Sequence, residues 1–435
     1  MFDRQMMRNY SFQNLHKRIA QENRPMGKTI SKSMLFLTTT CLAMGVMVSP
    51  LSMPILGNSA GALGKGVLWS LPAFALLNFL TVNRHFSAAQ AAVPKHPTMP
   101  WSEPVLSVLR LSALLPFCIG SATLILAAAG YTFNETFARW FPNLLFSVCF
   151  LIFILAMNLI GRGISRHIQN IAVIVFSGAI VVLVAMGLFS IDRPIFEGAE
   201  ASGFSSFKAR PFFMLFWLFM AAELAAWHEQ KNNSRRMPRY AMPAAFGAAL
   251  VLFWCWSMIS IAFAPLDALA KSTVPQTIAA HMIAGITGRQ ILGIAILAGS
   301  FAAVNTLLLG TSAVLHESLS PMKKHFQRYV TILSLLILCM LLTGMAGKEI
   351  TFSMNRSAFY IWLAAYAGYN FFPSARPSAA NTSIVAGLAL SAIYLAAFVV
   401  LVATDPDRAE VASFIVGFTV LFAIVSIAGR YLAKN

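Results

Sequence analysis

Charge is what this sequence has least of. Of its 435 residues only 11% are Asp, Glu, Lys or Arg, where an ordinary soluble domain carries roughly a quarter. A chain of this length and so little charge cannot present a wettable surface, so a soluble globular protein is excluded. Acids are the scarcer sign, 15 against 32 basic residues, for a net charge of +17. The excess does not point to nucleic acid, because the basic residues sit in short gaps between apolar runs rather than on one soluble face. Placement of that kind sets membrane orientation. Cysteine is sparse too. Cys41, Cys118, Cys149, Cys255 and Cys339 each lie inside an apolar run with no CxxC spacing, which argues against disulfides and zinc and for small core residues. Phosphate-binding glycine loops, HExxH and a nucleophile elbow are absent. Paired carboxylates or a Ser/His arrangement at membrane depth are missing as well, so the chain does not read as an enzyme.

What is present is apolar surface: 58% of residues are hydrophobic and mean hydropathy is +0.71. Apolar runs fall near 34–56, 61–82, 104–130, 140–160, 168–190, 211–227, 241–264, 291–315, 329–346, 357–372, 383–403 and 411–429. Each is close to the roughly 20 residues that cross a bilayer. Lipid offers no partner to a bare N–H or C=O, so such runs are helices or barrel strands, and no two-residue alternation supports strands. The expected fold class is an all-α membrane protein of about 12 transmembrane helices. With both termini cytoplasmic, about two-thirds of the 32 basic residues fall on the inside and most of the 15 acids outside, as the charge bias of cytoplasmic loops requires. That assigns the chain to the cytoplasmic (inner) membrane, with residues 1–33 as a cytoplasmic tail. Of the outside segments, 191–210 and 265–290 are the longest. The second contains Thr277 to Gly285, too short to span, which predicts a helix on the outer surface or over the mouth.

Transport sites form near the midplane where helices break at Gly or Pro. The first run carries Gly45, Ser49, Pro50, Ser52 and Pro54 in quick succession, and each proline removes a ladder donor. The sixth run carries Trp217 and then Ala221-Ala222-Glu223. A carboxylate at that depth is costly and is expected to face a cavity or a partner. His228, Glu229 and the basic stretch from Lys231 to Arg239 read as a solvated loop at the helix end. Pro116 with Gly120-Ser121 in the third run and Asn305 in the eighth are further interruptions.

The order and spacing of these features resemble the amino acid–polyamine–organocation (APC) superfamily. The residues that carry the resemblance are Ala43-Met44-Gly45-Val46-Met47-Val48-Ser49-Pro50 in the first span, Asn158-Leu159-Ile160-Gly161-Arg162 with Gln169-Asn170 at the fifth, Trp217 and Ala222-Glu223 in the sixth, the Lys231–Arg239 loop, and Asn305-Thr306-Leu307 in the eighth. The pattern is also similar to bacterial neutral amino-acid permeases and exporters of that superfamily.

The resemblance implies a 5+5 inverted-repeat transporter fold with discontinuous first and sixth helices. Residues 34–190 would form the first repeat, 191–372 the second, and 373–435 two further helices and a short cytoplasmic end. It implies a secondary active transporter (permease, exchanger or exporter) working by alternating access on amino acids, neutral ones above all, or related amines. Substrate would meet Met44 and Gly45, Phe117, Ser121, Trp217, Ala221, Ala222 and Asn305. Glu223 would support the broken segment or couple transport to a proton. No cofactor or metal is implied, and the partners are the small-molecule substrate and membrane lipid, with no nucleic acid, in a monomer or homodimer. A sensor or scaffold on the same fold is the alternative reading. Three positions depart from the family: Ala43 and Ala222 replace glycines, and Phe176 stands where many proton-coupled members carry a lysine.

Overall fold

The computed structural model describes residues 32–90, 102–190, 208–225, 240–319, 326–371 and 381–434, and among them all regular structure is helical. Residues 1–31 of the expected tail, 191–207, and His228 and Glu229 with the basic loop after them lie outside the described residues.

The first apolar run is two helices, α1 (Lys32–Met47) and α2 (Ser52–Leu63), whose axes differ by 57°. Then come α3 (Gly66–Gln90), α4 (Ser102–Thr136), α5 (Asn143–Ile160) and α6 (Arg162–Phe189). The sixth run starts as α7 (Ala209–Met214), tightens into a 3-10 turn over Leu215–Phe219, breaks, and resumes at Glu223. The remainder is α8 (Ala241–Phe263), the short α9 (Leu266–Lys271), α10 (Pro275–Leu319), α11 (Phe326–Leu342), α12 (Glu349–Phe371), α13 (Asn381–Ala403) and α14 (Arg408–Lys434). Among the described residues eight helices are long and apolar enough to cross a bilayer, nine with the bent α1–α2 pair. The other three expected runs fall short for local reasons. The sixth is broken, α11 is a 17-residue helix, and α12 carries Glu349, Asn355 and Arg356.

Burial sorts the helices. The apolar windows of α4 and α10 are 78% buried, against 22% in α5 and 11% in α14. The outer helices turn bulky residues such as Ile152, Phe153, Val420 and Ile424 outward, as lipid-facing surfaces do. α4 and α10 therefore lie at the centre of the bundle.

Thr277 to Gly285 reads as too short to span, and the structure gives the reason. α10 is kinked at Ala284 and Gly285, where Gly285 has φ +58°, a left-handed conformation that glycine enters without steric cost. The stretch before the kink packs with α9 over α2. Gly57 and Gly61 make this approach close: a methyl on Gly57 would stand 2.6 Å from Pro275, and one on Gly61 2.3 Å from the Ala270 amide nitrogen. Ser59 donates to the Pro211 carbonyl (2.9 Å), so α2 also holds α7.

At the same end, Asp405 in the α13–α14 turn has a fully buried side chain. It accepts from Tyr360 (2.6 Å) and lies 3.3 Å from Arg356 and 3.5 Å from Arg210. Arg356 also pairs with Asp407 at 2.5 Å and donates to Ser353 (3.1 Å), which donates to Glu410 (3.2 Å). This cluster ties α7, α12 and the α13–α14 turn together.

Candidate functional site: a hollow between two broken helices

Pro50 breaks the first run. It has no N–H, so the carbonyl of Val46 loses its helical donor. The last regular bond is Val48 N–H to Met44 O (2.8 Å). Ser52 then turns its hydroxyl back onto the Met47 carbonyl (2.5 Å), with Ser49 Oγ 3.1 Å away. Pro54 is harmless in the first turn of α2, where helical N–H groups are orphans anyway. The chain is therefore unwound over 48–51, about one turn beyond the Met44–Gly45 stretch where the family pattern led us to expect it. Met44 and Gly45 remain helical.

The sixth run breaks at Met220, which is extended (ψ 164°), and Ala221, the one described non-glycine residue with positive φ (+63°). A left-handed alanine costs about 1–2 kcal/mol. The helix restarts at Glu223, and Leu224 and Ala225 bond back to Ala221 and Ala222. Alanine in place of the usual glycine at 222 does not prevent unwinding, because the strained angle falls on residue 221.

Between the two breaks lies a narrow hollow. The first run contributes Val46, Ser49 and Leu51, α4 contributes Phe117, Ser121 and Ile125, α10 contributes Ala303 and Leu307, and Trp217 closes one side. Its free space suits roughly one water molecule, so any substrate must displace the walls. Among the described residues no ionisable side chain lines it. Three of the expected residues, Phe117, Ser121 and Trp217, are brought together there. Met44, Gly45, Ala221, Ala222 and Asn305 are not on its wall.

Those five have other surroundings. A methyl on Gly45 would stand 2.5 Å from Gln169 Nε2 and 2.9 Å from Thr306 Oγ1, so this glycine lets α1 pack against α6 and α10. Asn305 faces away from the hollow, into a buried polar network. Its Oδ1 accepts from Asn158 (2.8 Å) and Ser165 (3.3 Å), and its Nδ2 donates to Gln169 (2.9 Å). The hollow is reached instead by residues 303 and 307, two positions to either side and so near the opposite face of a helix with 3.6 residues per turn.

A family model described as an amino acid permease matches residues 34–320. The chain belongs to the amino acid permease family. No curated protein sequence matches it. Among solved structures, a crystal structure of a mutant manganese transporter from Eremococcus coleocola superposes with a TM-score of 0.57 at 11% identity, covering 94% of this chain and 96% of that one. At that identity the likeness is one of fold. The permease is thus a multi-pass membrane transporter of the APC superfamily.

The permease's buried acid at the site is Glu223. Trp362 donates its indole N–H to Glu223 Oε1 (2.9 Å), and Tyr366 donates its hydroxyl to Oε2 (2.6 Å). Both donors come from α12. The same helix supplies Phe359, whose ring centroid is 4.7 Å from that of Trp217, and Asn355, which accepts from Ser121 at 2.8 Å. Trp362 stands edge-on to Phe117 at 5.1 Å, and Phe117 meets Trp217 at 5.2 Å. Reading the sequence missed this α12 face, since aromatic residues in an apolar run carry no local mark of function. Phe176 is fully buried. Its ring lies 2.7 Å from where a methyl on Gly299 would be, close to the Val48 carbonyl. A phenyl group therefore stands beside the first break.

Proposed function

We propose that the permease carries small neutral amino acids, or closely related amines, across the cytoplasmic membrane by alternating access, with both termini cytoplasmic. The observation that carries this reading is the hollow flanked by two unwound segments and lined, among the described residues, by no ionisable side chain. A zwitterion brings one charge of each sign. The N-terminal end of α2 favours its carboxylate, and carbonyls freed by the breaks favour its ammonium. The side chain would then meet Phe117, Ile125, Leu307 and Trp217, which offer apolar contact and no counter-charge.

Exchange or export fits better than lysine-mediated proton symport, because Phe176 has no proton to give. Glu223 is the group through which proton coupling would run. Both of its oxygens are held by α12, so a protonation change there would act on α12 and the sixth-run break together.

The test is counterflow in proteoliposomes of the purified full-length protein. Saturable exchange of L-alanine, L-leucine or a similar neutral amino acid, with weak competition by the D-enantiomers, is the expected result. Transport indifferent to stereochemistry, or competition only by cationic amino acids, would overturn the reading. An imposed pH gradient then separates coupled transport from exchange.

A further inference from the structure

The face of α12 turned to the site is regularly spaced. Asn355, Phe359, Trp362 and Tyr366 follow one another at steps of four, three and four, which places them on one helical stripe. Each touches something that forms or supports a wall: Ser121, Trp217, Phe117 and Glu223 respectively. Trp362 does not itself line the hollow. It stands behind Phe117, which does.

An indole has a single polar atom, a donor. That of Trp362 is spent on Glu223 Oε1. The residue is 4% exposed, so a lost acceptor would leave a buried N–H unpaired and the ring free to leave its place. Glu223 is in turn fixed by the Tyr366 hydroxyl and by the turn that restarts the sixth run. The chain of contact runs Glu223, Trp362, Phe117, hollow.

We propose that Trp362 sets the upper size of the side chain the hollow admits, and that Glu223 is a positioning residue that holds its indole against Phe117. The inference rests on the substrate reading above and adds to it a residue that decides among neutral amino acids. With the indole in place Phe117 cannot retreat, and only small side chains fit. With a smaller or unanchored ring behind it, Phe117 swings back and larger substrates enter. A hydrophobic pocket discriminates by about 10-fold or more per methylene-sized step, so the ratio of transport for large over small substrates should rise by about that factor.

The experiment measures that ratio, with alanine, leucine and phenylalanine as competing substrates of the reconstituted full-length protein. Trp362→Phe and Glu223→Ala should both raise the phenylalanine-to-alanine ratio, and combining them should add little to either. Glu223→Gln retains a carbonyl oxygen for the indole, and its amide can donate to the Tyr366 oxygen, so it should keep the wild-type ratio. Should Glu223→Ala fail to yield monodisperse protein, Trp362→Phe and Glu223→Gln decide between them. Variants that slow every substrate equally, with the ratio unmoved, would show a merely structural role and overturn the inference while leaving the proposed function standing. A shift in Glu223→Gln as large as in Glu223→Ala would also overturn it, since charge rather than the hydrogen bond would then be at work. If the wild type transports none of the three, the substrate reading fails and takes this inference with it.

Discussion

Replacing Gly45 by alanine separates two roles for the first run. If Gly45 serves substrate contact, as the family pattern suggests, Gly45→Ala should lower affinity and spare stability. The structure argues the reverse. The added methyl would stand 2.5 Å from Gln169 Nε2, 2.9 Å from Thr306 Oγ1 and 3.0 Å from the Ala302 carbonyl oxygen, all inside the 3.5–4.0 Å of ordinary contact. The Ala302 carbonyl belongs to α10 and cannot move alone. Gln169 could swing aside only by giving up its bonds to Ala302 O (3.1 Å) and Thr306 (3.0 Å) and disturbing the one it accepts from Asn305. Overpacking costs about 1–3 kcal/mol, and a buried amide left unpaired about 1–3 more. The sum is about 2–6 kcal/mol, about thirtyfold or more in the folding equilibrium. Gly178, on the exposed face of α6 with nothing within 4 Å of a built methyl, is the control. There alanine should be neutral or gain up to ~1 kcal/mol from helix propensity. Thermal denaturation of the two variants in one detergent, read by loss of monodisperse protein, gives the comparison. A Gly45→Ala protein as stable as Gly178→Ala, with weakened substrate binding, would refute the packing argument and return Gly45 to the substrate.

Trp217→Ala should weaken neutral amino-acid binding by about tenfold, the loss of an aromatic face in contact with an ammonium group or apolar side chain; ligand-induced thermal stabilisation measures it, and unchanged affinity would count against the hollow as the site. Asp405→Ala should destabilise by about 3 kcal/mol, the low end for removing one partner of a buried ion pair, because Arg356 and Arg210 are only partly shielded from solvent; thermal denaturation reads it, and a loss within the scatter of the wild type would mean that the cluster adds nothing net. Gly61→Ala would press a methyl against the backbone of α9 and should cost about 1–3 kcal/mol by overpacking. Gly247→Ala, where nothing lies within 4 Å, should stay at wild-type stability in the same melt.

Much of the architecture was legible in advance because lipid is an unforgiving solvent. Spans had to be apolar and helical. Pro50 announced the first break, since a missing N–H is a property of the residue and not of its context. Trp217, Phe117 and Ser121, which the fold gathers at the hollow, drew notice for a related reason: large rings and small polar groups beside Gly or Pro stand out in an apolar run. Asn305 was singled out by polarity, but polarity does not say which face of α10 a residue occupies, and two positions either way reverses the answer. Ala221 gave no sign, because alanine is an ordinary helix former and its left-handed angle is imposed by the packing around it. The α12 stripe and the Asp405 cluster join residues from distant parts of the chain, and only the folded structure brings them together.

The α13–α14 turn bears on how the molecule could be shortened. A protein ending at Ala403 would keep every residue that touches the hollow and still strand Arg356, 19% exposed, without the carboxylates of Asp405 and Asp407. The last helix, whose apolar window is only 11% buried, is thereby fastened to α7 and α12 by charge, and a minimal carrier cannot be made by cutting it and its turn away.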